Sequence, residues 1–451
     1  MQEIIQLNNI INGNEREAEE RKVAGRFSFP VTTDQDLSFA LKLTRVQKSQ
    51  PINKVIEALS KIGRDANWIT DEDLKIQAEL SGSPIKHMRK SIDVINTWLA
   101  GLKDYVQING KLKPVQGTDE PKEVLLDDKG MLFRGGLSTM FVLAGDEVAI
   151  APWNIAQAML ADSRAIVKPS KIEPLSAYLF TKAIIAEGLT PPSLLYISRD
   201  SEAEQDLVKK AIKLTQQSVI YGEDHTVDAI CGPFGFRVDH KSITFLTGRS
   251  GAIVWDDADV QLTAAAIVRG ATDDRGNRCN STKKVFAPRA MASALQAAMV
   301  AEADKLVRGA PQDDATDLGR SEPQAREIAQ GWTSSGQVFY DRDMFFMTVE
   351  KEAPVLREEI PYPTVSVCYY DEGEDPVELA NESVRGTPLG ASIALSLFTS
   401  DENRYLEAAS RLDTCKALHN LPSTEFDFWT THQRLHLFTE LMRRTELITN
   451  N

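Results

Sequence analysis

The sequence predicts an α/β protein with two parallel-sheet lobes, and three observations carry that reading. From Thr139 onward, short apolar strands alternate with helical segments of roughly 10 to 15 residues, the pattern of βαβ units. A second set of the same kind begins near Ile243. The chain has 451 residues, 42% hydrophobic and 26% charged, an ordinary globular composition. That length suits roughly three domains, or one subunit with several lobes.

Taken in order, the first 106 residues read as mostly helical: Ile52, Val55, Ile56, Leu59 and Ile62 keep the spacing of one buried helix face. Over 107–134, the runs VQINGKLKPVQG and EVLLDDKGMLF flank a polar stretch, and Asp128-Lys129-Gly130 supplies a turn, which predicts a β-hairpin excursion. MFVLAG then leads into EVAIAPWNIAQAMLA, RAIVKPS into PLSAYLFTKAIIAEG, LLYIS into a charged helix, and SVIYG into TVDAICG. Gly188 with Pro191-Pro192 stops one of these helices before the next strand. In the second set, ITFLT and AIVWDD read as strands, and Asp256-Asp257 is the expected cap of DADVQLTAAAIVRGA. VFY and TVSVCYY read as further strands and DENRYLEAASRLDTCKAL as a helix. The tail from Ser423 is rich in aromatics and His, too short to fold alone, and is expected to pack against a partner subunit.

Several function classes fall away. A net charge of −14 argues against nucleic acid as a partner, since displacing counterions needs a basic surface. The best apolar run, Leu137 to Gly145, stops at Asp146, so no membrane span is expected. The start MQEIIQLNNI has no basic leader, and four cysteines are too few for a disulfide framework, which points to the cytoplasm. No phosphate-binding G-x-x-x-x-G-K-[ST], no G-x-G-x-x-G, no C-x-x-C and no H-E-x-x-H occurs. His432 and His436 are the only i,i+4 histidine pair and read as packing residues, so no metal is expected.

Cys279 stands apart from the other cysteines. It lies in a polar loop with Arg275, Gly276 and Arg278 ahead and Lys283 and Lys284 behind, and nearby cations favour the thiolate, which is the nucleophile. Cys415 follows Leu412 on an apolar helical face, Cys368 sits in the strand VSVCYY, and Cys231 ends an apolar run; all three read as small core residues.

With these motifs in place, residues 50–420 resemble the aldehyde dehydrogenase superfamily, in motif order more than in any one motif. IVKPS (166–170) is similar to its strand-end lysine motif, GLTPPSLLYI (188–197) to a strand lead-in, and AIVWDDADV (252–260) to a strand ending in Asp-Asp-Ala-Asp. Arg275 to Cys279 resembles the nucleophile loop, Glu358-Glu359-Ile360 with Pro363 the Glu-Glu-Ile-Phe-Gly-Pro motif, and PLGASIALSLFTSD (388–401) the late strand. The resemblance implies a Rossmann-type cofactor lobe over 1–106 and 135–242. It implies a catalytic lobe over 243–420, and an oligomerisation hairpin and tail over 107–134 and 421–451.

By the same resemblance, Cys279 attacks a carbonyl carbon, Lys168 touches the adenosine ribose with Ser170 beside it in the motif, and Glu359 bonds the nicotinamide ribose. Gly222, in IYGED, falls in the cofactor lobe. Lys171 stands where the family commonly has a Glu that binds the ribose hydroxyls of NAD; an ammonium there would attract a 2′-phosphate, which favours NADP over NAD. Two departures follow. The carboxylate that activates the deacylating water in acid-forming members is replaced by Phe245 or Leu246, which cannot take a proton. And Asn154, in Pro152-Trp153-Asn154, precedes Lys168 by only 14 residues, whereas the family's oxyanion-binding Asn lies well over twenty before its lysine. The longer interval lands on Asp146, which when ionised cannot donate to an oxyanion, so Asp146 and Asn154 both stand as candidates and backbone N–H groups as the alternative.

The leading expectation is NAD(P)H-dependent reduction of an acyl thioester, carried by CoA or an acyl-carrier protein, to an aldehyde, as in the bioluminescence-type acyl-CoA reductases that the N-terminal half most resembles. The alternatives are NAD(P)-dependent oxidation of an aldehyde to an acid, with Glu147 or Glu358 serving water, and a catalytically idle cofactor-binding scaffold. The resemblance also implies a homodimer or homotetramer.

Overall fold

A computed structural model of the chain describes residues 4–24, 26–115, 122–198, 200–231 and 240–447, with Pro114, Val115, Lys122, Glu123 and Cys231 described for backbone only. The chain divides into two compact units. One runs to Ser81 and adds Arg89–Phe245 and the tail from Asp427; the other joins Gly82–Met88 to Leu246–Phe426.

The first unit holds a seven-stranded sheet in the order Lys241–Phe245, Gln217–Tyr221, Ser138–Val142, Arg164–Lys168, Ser193–Leu194, Asn9–Ile11, Asn14–Arg16. The first five are mutually parallel, and Leu194 pairs antiparallel with Ile10. From Ser138–Val142 the chain steps to Arg164–Lys168 on one side and later lays Gln217–Tyr221 on the other, so the topological switch point lies beside Ser138–Val142. In open α/β sheets, that is where ligands bind, at the carboxyl ends of the strands. The helix Ile150–Leu160 is buried on every side from Ala151 on, which explains why its sequence is apolar all round. By contrast, Glu202–Leu214 shows solvent one face and opens with a capping box between Ser201 and Glu204.

The second unit has its own seven-stranded sheet: Gly336–Asp341, Phe345–Val349, Thr364–Tyr370, Lys284–Pro288, Gly251–Val254, Ser392–Phe398, Thr414–His419, parallel apart from the first pair. Every residue of its four middle strands (251–254, 284–288, 364–370 and 392–398) is buried, as expected of a parallel sheet covered on both faces.

Four readings need correction. The described residues among the first 30 are not helical but contribute five short strands before the helix Asp34–Val46. Lys241–Phe245 closes the first unit's sheet instead of opening the second set. The helix Val260–Thr272 is capped by Asp259, whose side chain accepts from Gln261 N and Leu262 N; Asp257 instead takes Thr399 and Ser400. Helix Glu402–Arg411 ends before Cys415, which lies on the strand Thr414–His419: Asn381 accepts from Asp413 N, and Thr414–His419 then pairs with Ser392–Phe398. The tail also makes contacts within its own chain. Phe438 lies against Tyr105, Trp429 covers Gly101, Gln217 donates to Leu441 O, and Arg443–Glu446 pairs antiparallel with Met131–Arg134. The excursion is thus a four-stranded sheet that includes the tail; its 116–121 segment, like 448–451, lies outside the described residues. None of the described helices is long and apolar enough to cross a membrane.

Candidate active site

Cys279 follows a turn that L residues rarely adopt. After helix Val260–Thr272, Asp274, Arg275 and Gly276 have φ of 53°, 59° and 68°, three left-handed residues in succession. Asp273, Asp274, Arg275 and Arg278 are buried, whereas Cys279 is exposed. The loop is pinned from below by Gly248. A Cβ there would lie 1.4 Å from the carbonyl oxygen of Cys279, so only glycine permits the approach. Gly248 is itself fixed: its carbonyl accepts from Ile393 N at 2.9 Å, and Lys283 N bonds Ser250 O at 3.0 Å.

The cations around Cys279 in the sequence have specific addressees. Lys283 donates to Gly276 O (2.5 Å) and Tyr362 O (3.0 Å), Lys284 to Leu356 O (3.2 Å), and Arg275 to Ser83 Oγ and Arg320 O. The Arg278 guanidinium lies over the Phe426 ring. They brace the loop's backbone as well as charging its surroundings. Glu359 lies beside the two lysines and accepts from Arg249 N at 2.5 Å. Burial pushes its carboxyl up to about 7, against the pull of Lys283 and the Arg249 N–H, and pushes Lys283 down to about 8 and Lys284 to about 7.

In the first unit, Asp146, Lys168, Ser170, Lys171 and Gly222 all follow the carboxyl ends of strands next to the switch point. Lys168 is buried and donates to Pro169 O; Ser170 Oγ accepts from Ile172 N. A Cβ on Gly222 would meet the Thr226 methyl at 3.0 Å, a tight contact that a small shift of that side chain would relieve. Lys171 bonds both oxygens of Asp200 at 3.0 Å, an ion pair exposed to solvent. Asp146 is buried, and Glu147 accepts from Ala149 N. Nearby, Glu173 is buried and pushed up to about 8, chiefly by burial, with Glu147 and Asp146 adding to the shift.

The Asn154 amide is engaged within the first unit. Asn154 sits in the middle of helix Ile150–Leu160, fully buried, and its amide donates to Ile150 O at 2.8 Å and Tyr221 Oη at 3.1 Å, which uses both hydrogens. Phe245 is likewise buried, its ring 4.5 Å from Tyr221 and 4.9 Å from His432. His432 is therefore a packing residue.

Two contributors escaped the sequence reading. Gly248 had a visible signal, a glycine leading into an apolar strand. His87 had none: its Nδ1 accepts from Asp274 N, 187 positions away.

Residues 147–427 match the aldehyde dehydrogenase family. The chain is 26% identical over 284 residues to betaine aldehyde dehydrogenase 1 of Rhizobium meliloti (strain 1021), covering 58% of this chain and only 56% of that relative's length. It is 26% identical over 400 residues to lactaldehyde dehydrogenase of Escherichia coli (strain K12), covering 79% and 77%. The NADP-dependent glyceraldehyde-3-phosphate dehydrogenase from Bacillus halodurans C-125, solved with NADP, shares the fold at a TM-score of 0.81 and 18% identity, over 98% of both chains. With the family match spanning more than half its length, the chain belongs to the aldehyde dehydrogenase family.

Proposed function

We propose that this protein oxidises an aldehyde with NAD or NADP through a thioester on Cys279. The observation that carries the reading is an exposed cysteine on a backbone held by Gly248, Lys283 and a left-handed turn. The names of the relatives, betaine aldehyde and lactaldehyde dehydrogenases, favour this direction over thioester reduction. The Cys279 sulfur adds to the carbonyl carbon, forming the C–S bond while the carbonyl pair moves to oxygen. Loss of hydride from that carbon restores the C=O and leaves a thioester, which water or a thiol then releases. A bound nicotinamide dinucleotide supplies the hydride acceptor. Lys168, Ser170, Lys171 and Gly222, at strand ends by the first unit's switch point, fit such a group. The Lys171–Asp200 pair balances charge there, which weakens the electrostatic case for NADP over NAD.

One observation favours a second reading, interconversion of aldehydes and acyl thioesters. By the resemblance, Phe245 or Leu246 replaces the water-activating carboxylate of acid-forming members, and Phe245 packs among aromatic rings. We also propose a homo-oligomer, built on the exposed strand Arg443–Glu446 at the edge of its sheet. The test is turnover of an aldehyde panel with NAD⁺ or NADP⁺, with and without CoA, and the mass of the Cys279 adduct. Acid formed without CoA supports the first reading, and CoA-dependent turnover the second. Cys279→Ser is expected to lose activity by about 10³-fold or more; undiminished turnover overturns both.

A further inference from the structure

The turn ahead of Cys279 places two residues with side chains, Asp274 and Arg275, in left-handed backbone, a conformation that persists only when its surroundings impose it. Both are gripped by one short segment. His87 Nδ1 accepts from Asp274 N at 3.0 Å, and Ser83 Oγ accepts from Arg275 Nε at 3.4 Å. The segment is anchored in turn by Ile85 N donating to Pro311 O at 2.8 Å. An amide N–H can donate only to an unprotonated ring nitrogen, so the imidazole proton sits on Nε2. That nitrogen faces Asp273 Oδ1 at 3.8 Å, while the other oxygen of Asp273 accepts from Thr424 Oγ1 at 2.6 Å and lies 3.8 Å from Arg269 Nε. The result is a chain from Thr424 through Asp273 and His87 to the amide of Asp274.

We propose that neutral His87 is a positioning residue for Cys279: its Nδ1 holds the left-handed turn that sets the direction of the nucleophile. Protonating Nδ1 replaces the acceptor with a second donor and releases the turn. Burial disfavours the charged ring, pushing it down to about 4; Asp273 and Asp317 pull it up, and Arg278 and Lys86 push it down further. The hold is therefore complete above pH 6.5, the ordinary histidine value, and weakens as the pH falls toward 4.

This inference rests on Cys279 being the nucleophile, and the experiment separates the two. Full-length protein is alkylated with iodoacetamide from pH 5 to 9, and Cys279 and Cys415 are followed by peptide mass. In His87→Asn the amide oxygen stands where Nδ1 stood, and the pH 8 rate at Cys279 is expected within about threefold of the parent. His87→Gln and His87→Leu, which place no acceptor there, are expected to slow Cys279 by about tenfold or more while Cys415 is unchanged. A folded His87→Gln or His87→Leu protein that alkylates Cys279 at the parent rate overturns the role of His87. If Cys279 in the parent reacts no faster than Cys415, the nucleophile itself is wrong and this inference falls with it.

Discussion

Gly248→Ala perturbs the site through one methyl group. Its Cβ would stand 1.4 Å from the Cys279 carbonyl oxygen and 2.5 Å from the carbonyl carbon, where real Cβ contacts essentially never fall below 3.0 Å. About 1.6 Å must be found. The glycine side cannot yield it cheaply: Gly248 O is tied to Ile393 N, Arg249 N to Glu359, and the Ser250 hydroxyl to Ala394 N. The nucleophile loop must move instead. A misplacement of about 1 Å at a reacting atom costs on the order of 10²-fold, so kcat/KM is expected to fall at least about 100-fold, or about 2.7 kcal/mol of transition-state stabilisation. Overpacking should also lower folding stability by about 1–3 kcal/mol. The assay is kcat/KM for aldehyde oxidation beside thermal midpoint and circular dichroism. Gly331→Ala is the control: nothing lies within 4 Å of its Cβ position near the end of the helix Pro323–Trp332, so activity should hold. A folded Gly248→Ala enzyme with unchanged kcat/KM would refute the claim that this contact sets the nucleophile.

Two further outcomes follow from charge. The Glu173 carboxyl, raised from 4.5 to about 8 by burial, is neutral in the folded chain at pH values where the unfolded chain ionises it. Its contribution is fully present below about pH 4.5 and is lost as pH rises through about 8, a drop on the order of 4 kcal/mol. Glu173→Gln should flatten urea-unfolding stability between pH 5 and 9, and parallel curves for the two proteins would show that the carboxyl does not titrate so. Asp200→Ala frees the Lys171 ammonium, which should lower KM for NADP up to about tenfold relative to NAD, in a salt-sensitive way. Equal shifts for both cofactors would place the pair away from the ribose.

The split between what the residues announced and what they hid follows the range of the interactions involved. The βαβ order was legible because a doubly covered parallel strand must be apolar throughout, as Thr364–Tyr370 and Ser392–Phe398 are. The cationic setting of Cys279 was legible because its flanking residues are local. Asp259 was a poor read for the opposite reason: three aspartates in DDAD are equivalent in sequence, and only the hydrogen bonds from Thr399 and Ser400 to Asp257 make Asp259 the cap. Cys415 went to the wrong element because a helix-like pattern continues past Arg411, while pairing with Ser392–Phe398 outweighs that local preference. Asn154 shows the same limit at the site. A three-letter match carries no information about where amide hydrogens go, and here they are consumed inside the first unit by Ile150 and Tyr221. His87 lies furthest from any sequence signal, because an isolated histidine in a polar segment gains meaning only from an amide 187 positions later. Long-range polar contacts of this kind bend the backbone at Asp274 and Arg275 into a state that neither residue prefers, so the geometry around Cys279 is a property of the folded unit and not of the loop that carries it.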